Sequence, residues 1–480
     1  MRPRAGLGSA IGVAAALAGC GENGPAPATR PLDIVAGPAL ADTITAHPIQ
    51  GLVAEVRDAS GTLLPGTAVR YSSVILKKDG FDYASMFVAP VSGDQFGTLV
   101  TATTNERGRS TALVGFGVVA GLGGIEVAVP ELGLVDTVRY TITPGQPFGV
   151  RLLPKDSALA VGRTLTLRGG VVDRFLNARS DPVAYSATAI PSGAGTITPN
   201  GQVTAAAAGQ IEVIGSAGSA RDTIRVSVVP AGTVAGWDPV TGHIVEVSLD
   251  GTGRRNLTQT PFPVLDEFEP EWSRDGNSFV FTTGGKIAAL FLPTGGLAMF
   301  TTPPSPYWPT FTPDGQRIYF NIAGTGDAQI ARIDRNGTNF VIVKSGGFDA
   351  RVSFAPDGRT FTYHSVIAGD PFVAKFDVAT GTGVPTTRRG IFPEWSFQGD
   401  RIAYFTPEGE LRMMNADESN DHALAPPGVY GGPIGWSPDG QWLLLGRPGV
   451  GFELLGVAGA AAGVTVHPIL PSIAGARWRP

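Results

Sequence analysis

Five histidines, at 47, 243, 364, 422 and 467, and one cysteine, Cys20, supply all the imidazole and thiol chemistry in 480 residues. No two histidines stand at metal-ligand spacing, so neither a zinc site nor a histidine-centred triad is expected. A serine hydrolase would need a G-x-S-x-G nucleophile turn with later Asp and His, and the chain has none. The Gly-rich piece GTGDAQ carries no Lys and precedes no helical pattern, so it reads as a turn and not as a phosphate cradle. No cofactor and no metal is expected. What remains is charge. Asp266, Glu267 and Glu269, then Asp327, Asp349, Arg351, His364, Asp370, Arg388, Arg389 and Arg447, fall in segments that read as loops. An acidic cluster beside an arginine cluster can steer a charged partner.

The elements that position these residues follow from composition. Gly (66) and Pro (39) are abundant, charged residues are only 16%, and apolar residues reach 43%. Helix is disfavoured by the first two numbers and disorder by the third, which leaves short strands joined by tight turns. The fold class is all-β. A length of 480 residues exceeds one core and predicts several domains. Net charge is -5, and no Lys/Arg run interleaved with aromatics occurs, so nucleic acid is not an expected partner.

Cys20 follows a basic start, MRPR, and a short stretch of small and apolar residues, AGLGSAIGVAAALAG. That stretch is too short to span a bilayer comfortably and reads as a cleaved signal, residues 1–19. Leu17-Ala18-Gly19-Cys20 resembles the lipobox of bacterial lipoproteins. The resemblance implies that the Cys20 thiol takes up diacylglycerol before cleavage and that several acyl chains then give stable anchoring. Gly at 21, where an inner-membrane retention signal would carry Asp, implies the outer membrane by the same resemblance. Residues 20–30 read as a flexible tether.

Residues 31–145 alternate apolar and polar positions between regular turns, a sandwich rhythm. Leu52, Ala54 and Val56 fall on one face, Asp58 to Gly61 turn the chain, and Val69 and Tyr71 resume on a returning strand, giving a hairpin or strand pair. The segment resembles bacterial immunoglobulin-like domains of the invasin type. In residues 146–230, Leu165 and Leu167, Ile211 and Val213, and Ile224, Val226 and Val228 alternate cleanly, and Pro199-Asn200-Gly201 needs a left-handed residue. Its pattern "L-x-V-G" followed by "I-T-x-N-G-x-V-T-A" resembles the group-2 bacterial immunoglobulin-like domain, with Tyr185 where that family usually has Trp.

Residues 232–480 repeat. EPEWSRDG, WPTFTPDG, RVSFAPDG, FPEWSFQG, PIGWSPDG and GARWRP carry anchors at Trp272, Phe311, Phe354, Trp395, Trp436 and Trp478. Their spacing of about 40 residues is what one four-stranded blade consumes. The first segment lacks the anchor strand and the last has only that strand. Residues 476–480 are therefore expected to pair with residues 234–237 and close a ring of six blades. The repeat resembles the propeller of TolB, whose blades carry "P-x-W-S-P-D-G"; the fourth copy departs with Phe397 and Gln398.

The expected protein is a non-enzymatic envelope lipoprotein: two immunoglobulin-like sandwiches as a stalk, and a six-bladed β-propeller binding a protein or a carbohydrate. Membrane contact is expected through the lipid anchor only. Two alternatives follow from the same residues, a TolB-like periplasmic scaffold and a carbohydrate-active propeller using paired carboxylates.

Overall fold

The computed structural model describes residues 30–78, 81–93, 95–259, 270–300, 306–323, 327–470 and 473–480. Cys20, Asp266, Glu267 and Glu269 lie outside the described residues. The described residues form strands and two short 3-10 turns, Pro130–Leu132 and Gly459–Ala461. None of their helices is long and apolar enough to cross a membrane. The chain divides into two compact units: Met1–Gln146 with Val172–Arg179, and Pro147–Val171 with Ser180–Pro480.

In the first unit a four-stranded sheet and a five-stranded sheet share one core of Leu52, Val56, Tyr71, Val114, Ile125 and Tyr140. Leu52, Ala54 and Val56 are buried on one face, as are Val69 and Tyr71. The expected hairpin between them is corrected. Leu52–Val56 pairs with Leu32–Ala36 and Arg109–Phe116, whereas Ala68–Ser73 pairs with Gly121–Val129 and Leu99–Thr103 in the other sheet. The turn does begin as a hairpin, with an Arg57–Leu63 bridge and the Asp58 carboxylate accepting the Ser60 and Thr62 amides. Pro65 lacks a donor and Gly66 adopts φ 73°, so the ladder stops and the chain crosses to the facing sheet. Val172–Arg179 clusters with this unit through Asn177, which accepts the Ala120 amide and donates to the Val118 carbonyl.

The second unit begins with another sandwich. One sheet orders Ser157–Ala160, Ala220–Val229, Gly209–Ala217 and Ala184–Ile190; the facing one contains Thr164–Thr166, Gln202–Ala205 and Gly195–Ile197. Ile211, Val213, Ile224, Val226 and Val228 are buried between them, and Gly201 takes φ 78° in its turn. Tyr185 packs against this core from its half-buried edge.

Six four-stranded blades follow. The inner strands of blades 1 to 5 are Glu271–Trp272, Pro306–Phe311, Phe348–Phe354, Ile391–Trp395 and Gly431–Trp436. Blade 6 is composite: Ala474–Trp478 is its inner strand, beside Thr233–Trp237, Ile244–Ser248 and Arg255–Asn256. Val234 faces Trp478 and Ala235 faces Arg477 in an antiparallel pair. The two ends of the repeat region thus complete one sheet, and that blade's edge is closed.

The turn after each anchor shows why its residues recur. In blades 1, 2 and 5 a hydroxyl (Ser273, Thr312, Ser437) donates to the following Asp at 2.5 to 2.6 Å and accepts the first amide of the next strand at 2.9 to 3.0 Å. The closing glycines 276, 315, 358, 399 and 440 all have φ between 66° and 72°, a region with little steric cost for Gly alone. In the fourth copy Asp400 takes the place of the missing turn Asp, accepting from Ser396 at 2.7 Å.

Candidate functional site

The residue before each anchor turns into the central channel. Glu271, Thr310, Ser353, Glu394, Gly435 and Arg477 hold this position in blades 1 to 6 and line one cavity of about 90 Å³. Blades 1 and 4 lie opposite each other in a six-membered ring, so the two glutamates face across it. Arg477 ties three blades together: Nε donates to the Pro270 carbonyl at 3.1 Å and lies 3.1 Å from Glu271 Oε2, and Nη1 donates to the Ile434 carbonyl at 2.9 Å. Ser353 Oγ donates to Glu394 Oε1 at 2.9 Å. The anchors themselves bridge blades, since Trp436 Nε1 donates to the Glu394 carbonyl and Trp272 Nε1 to the Arg477 carbonyl.

Side chains from different blades meet at both ends of this chamber. At the turn end, Arg274 donates to the Phe397 carbonyl at 2.6 Å and stacks over its ring at 5.5 Å. Those two residues stand where four other copies have Pro313, Pro356, Pro438 and Pro480. The departure of the fourth copy from the repeat is therefore one half of a strut between blades 1 and 4. At the other end, three residues before the anchor, Trp308 (φ 50°), Arg351 (φ 65°) and Phe392 (φ 53°) adopt the left-handed region, with Gly475 at the same position of blade 6. Each of these three sits in a register shift of its strand pair, so each is a β-bulge that re-aims a side chain. Arg351 lies 5.6 Å over Trp308 and 5.1 Å over Phe392, and Trp308 meets Phe392 edge-on at 6.0 Å. His364 contacts both rings. Bulky residues in this backbone region cost about 1–3 kcal/mol each and persist where surrounding structure over-determines them.

Burial sets the protonation of two titratable groups here, one in the channel and one at its mouth. Desolvation in the narrow channel, reinforced by Glu271, raises the Glu394 carboxyl to about 7. Its side chain keeps some contact with the lumen, but the lumen is too narrow to hydrate a full charge. Desolvation, with Arg351 nearby, lowers His364 to about 4.

Strand order puts the expected face residues that are described at one end of the propeller, where inner strands begin and second strands end. They do not form one site. Arg351 and His364 are buried in the mouth, and Asp349 is buried 3.0 Å from Lys344. Asp370 pairs with Arg389 at 2.6 Å, Arg388 with Asp421 at 3.4 Å, and Arg447 with Glu453 at 3.0 Å. Asp327 accepts from Gln329 at 3.3 Å. Around the mouth, Phe348 and Ile367 remain 45% and 44% exposed. Sequence reasoning missed Glu271, Glu394, Arg477, Trp308 and Phe392. The first three were visible as the column before each anchor, where charged, hydroxyl and glycine residues alternate among the copies.

Residues 243–462 match the TolB beta propeller domain family. The propeller is TolB-like. Among solved structures the chain is similar to TolB from Acinetobacter baumannii, at 17% identity over 62% of this chain and 83% of that one, with a TM-score of 0.45. It is similar to a nidogen/laminin complex at 11% identity, covering 52% and 98%, TM-score 0.43. An oligogalacturonate lyase from Vibrio parahaemolyticus gives 12% identity over 63% and 100%, TM-score 0.37. No curated protein matches the chain.

Proposed function

We propose that this protein is a binding protein of the bacterial cell envelope, anchored by lipid at Cys20, with two immunoglobulin-like sandwiches as spacer and the propeller mouth as its contact surface for a protein partner. The observation that carries this reading is the triple bulge. Trp308 and Phe392, half-buried at the mouth, and the buried Arg351 between them are held in a costly backbone region to build a rigid aromatic–arginine cluster, the residue types that dominate protein interfaces. Phe348 and Ile367 extend that surface outward. The chamber beneath is a cavity of about 90 Å³, which supports binding at the mouth over cleavage of a sugar chain between Glu271 and Glu394.

Two measurements test the reading. Cells fed labelled palmitate should label the wild-type chain and not Cys20→Ala, and a labelled Cys20→Ala chain sinks the anchor. A Phe348→Ala/Ile367→Ala chain, with an unchanged melting temperature, should recover its envelope partner at least about tenfold less efficiently than wild type. Equal recovery would place the contact surface elsewhere. The TolB-like match also favours a scaffold working inside the periplasm. Protease added to intact cells separates the two, cutting the propeller only if it is displayed outside.

A further inference from the structure

Blade 5 carries a second charged cluster on the same face, away from the channel. Glu453, in strand Gly451–Gly456, has 1% of its side chain exposed. Arg447 Nη1 lies 3.0 and 3.3 Å from its two oxygens, His467 Nδ1 lies 3.4 Å from Oε1, and Tyr430 hydrogen-bonds to the same carboxylate. A buried carboxylate must be paired and hydrogen-bonded. Here two basic side chains, Arg447 at the end of one strand and His467 just after another, converge on a single oxygen. Each uses one nitrogen. Arg447 Nε and Nη2 and His467 Nε2 have no protein partner among the described residues, and the two side chains remain 43% and 44% exposed.

We propose that Arg447 and His467 form a phosphate-binding site, with Glu453 as the buried residue that positions both. With Nη1 taken by Glu453, the Arg fork keeps one free edge of two donors, Nε and Nη2, and His467 keeps its Nε2 free. Two guanidinium donors and an imidazole nitrogen that can donate to a bare oxygen or accept from a P–OH suit a phosphate, which presents both, better than a planar carboxylate with two acceptor oxygens. The site stands on blade 5 residues alone and is independent of the contact surface assigned to the channel mouth. Its phosphate could be free or the headgroup of a lipid.

The test is calorimetric titration of the full chain in detergent, at constant ionic strength, with inorganic phosphate and with glycerol phosphate. Wild type should bind phosphate saturably. His467→Gln and Arg447→Lys should each bind about tenfold more weakly or worse while melting as wild type does. Arg447→Lys keeps Glu453 paired with a cation, so its loss of affinity reports the fork and not a collapsed blade. Tighter binding of glycerol phosphate than of phosphate identifies the headgroup, and the reverse identifies the free ion. Absence of saturable binding by wild type to either probe, or unchanged affinity in both variants, overturns the proposal.

Discussion

Deleting residues 476–480 opens the ring, and the propeller loses its cooperative unfolding transition. The deletion removes most of the inner strand of blade 6, and with it Trp478, buried against Val234, Trp442 and Leu454. It also removes Arg477 from the channel and Arg479, which pairs with Glu246 at 2.7 Å and lies 5.2 Å over Trp272. The single change Trp478→Ala should alone cost about 3–5 kcal/mol by leaving a cavity. Arg477→Ala should cost a similar amount, because Glu271 and the carbonyls of Pro270 and Ile434 lose their partner at once. Calorimetry of the deleted chain should show the sandwich transition and no propeller transition. A propeller transition within a few degrees of wild type would show that blade 6 is not the clasp.

The second large effect is a pH dependence hidden in wild type by two opposed groups. Glu394 is raised to about 7 in the folded chain, so its stabilising contribution is complete below about 4.5 and is lost as pH rises through 7. His364 is lowered to about 4, so its contribution is complete above about 6.5 and is lost as pH falls through 4. Between pH 4.5 and 6.5 the two slopes have opposite sign and largely cancel. Glu394→Gln removes one of them. At pH 8 it should stabilise the propeller by about 2 kcal/mol, somewhat less than a full shift of this size implies, because the side chain still touches the lumen. At pH 4.5 it should be neutral. His364→Gln should leave the complementary slope, with stability falling from pH 4.5 to 7. Denaturant titrations at four pH values test both, and a Glu394→Gln chain whose advantage does not grow with pH contradicts the channel electrostatics.

The fold was legible to a large extent because its repeat is mechanical. The anchor aromatic, the hydroxyl–Asp–Gly turn and the missing strand at each end each have one geometric solution, and Val234 does face Trp478. The first sandwich was read less well: Leu52–Val56 and Ala68–Ser73 look like a hairpin pair, and alternation cannot say which sheet a strand joins. The site was harder for a related reason. A left-handed bulge at Trp308, Arg351 and Phe392 resets the two-residue alternation, so the sequence pattern does not show which side chains enter the channel. Loop position did place the described candidate residues at one end of the propeller. It did not show that Arg389 is taken up by Asp370, or that Arg447 shares Glu453 with His467.

The composite blade also sets an order of events in folding. Arg479 and Glu246 are 233 residues apart, and joining such distant points in an unstructured chain carries an entropic cost of about 5 kcal/mol beyond the constant term. Blades 1 to 5 need only contacts within some 40 residues and can form while the ring is open, their curvature bringing the distant strands together. Ring closure is then the last and slowest step, and its reversal the first step of opening. Native-state hydrogen exchange should find the amides of Ala474–Trp478 among the first propeller amides to open.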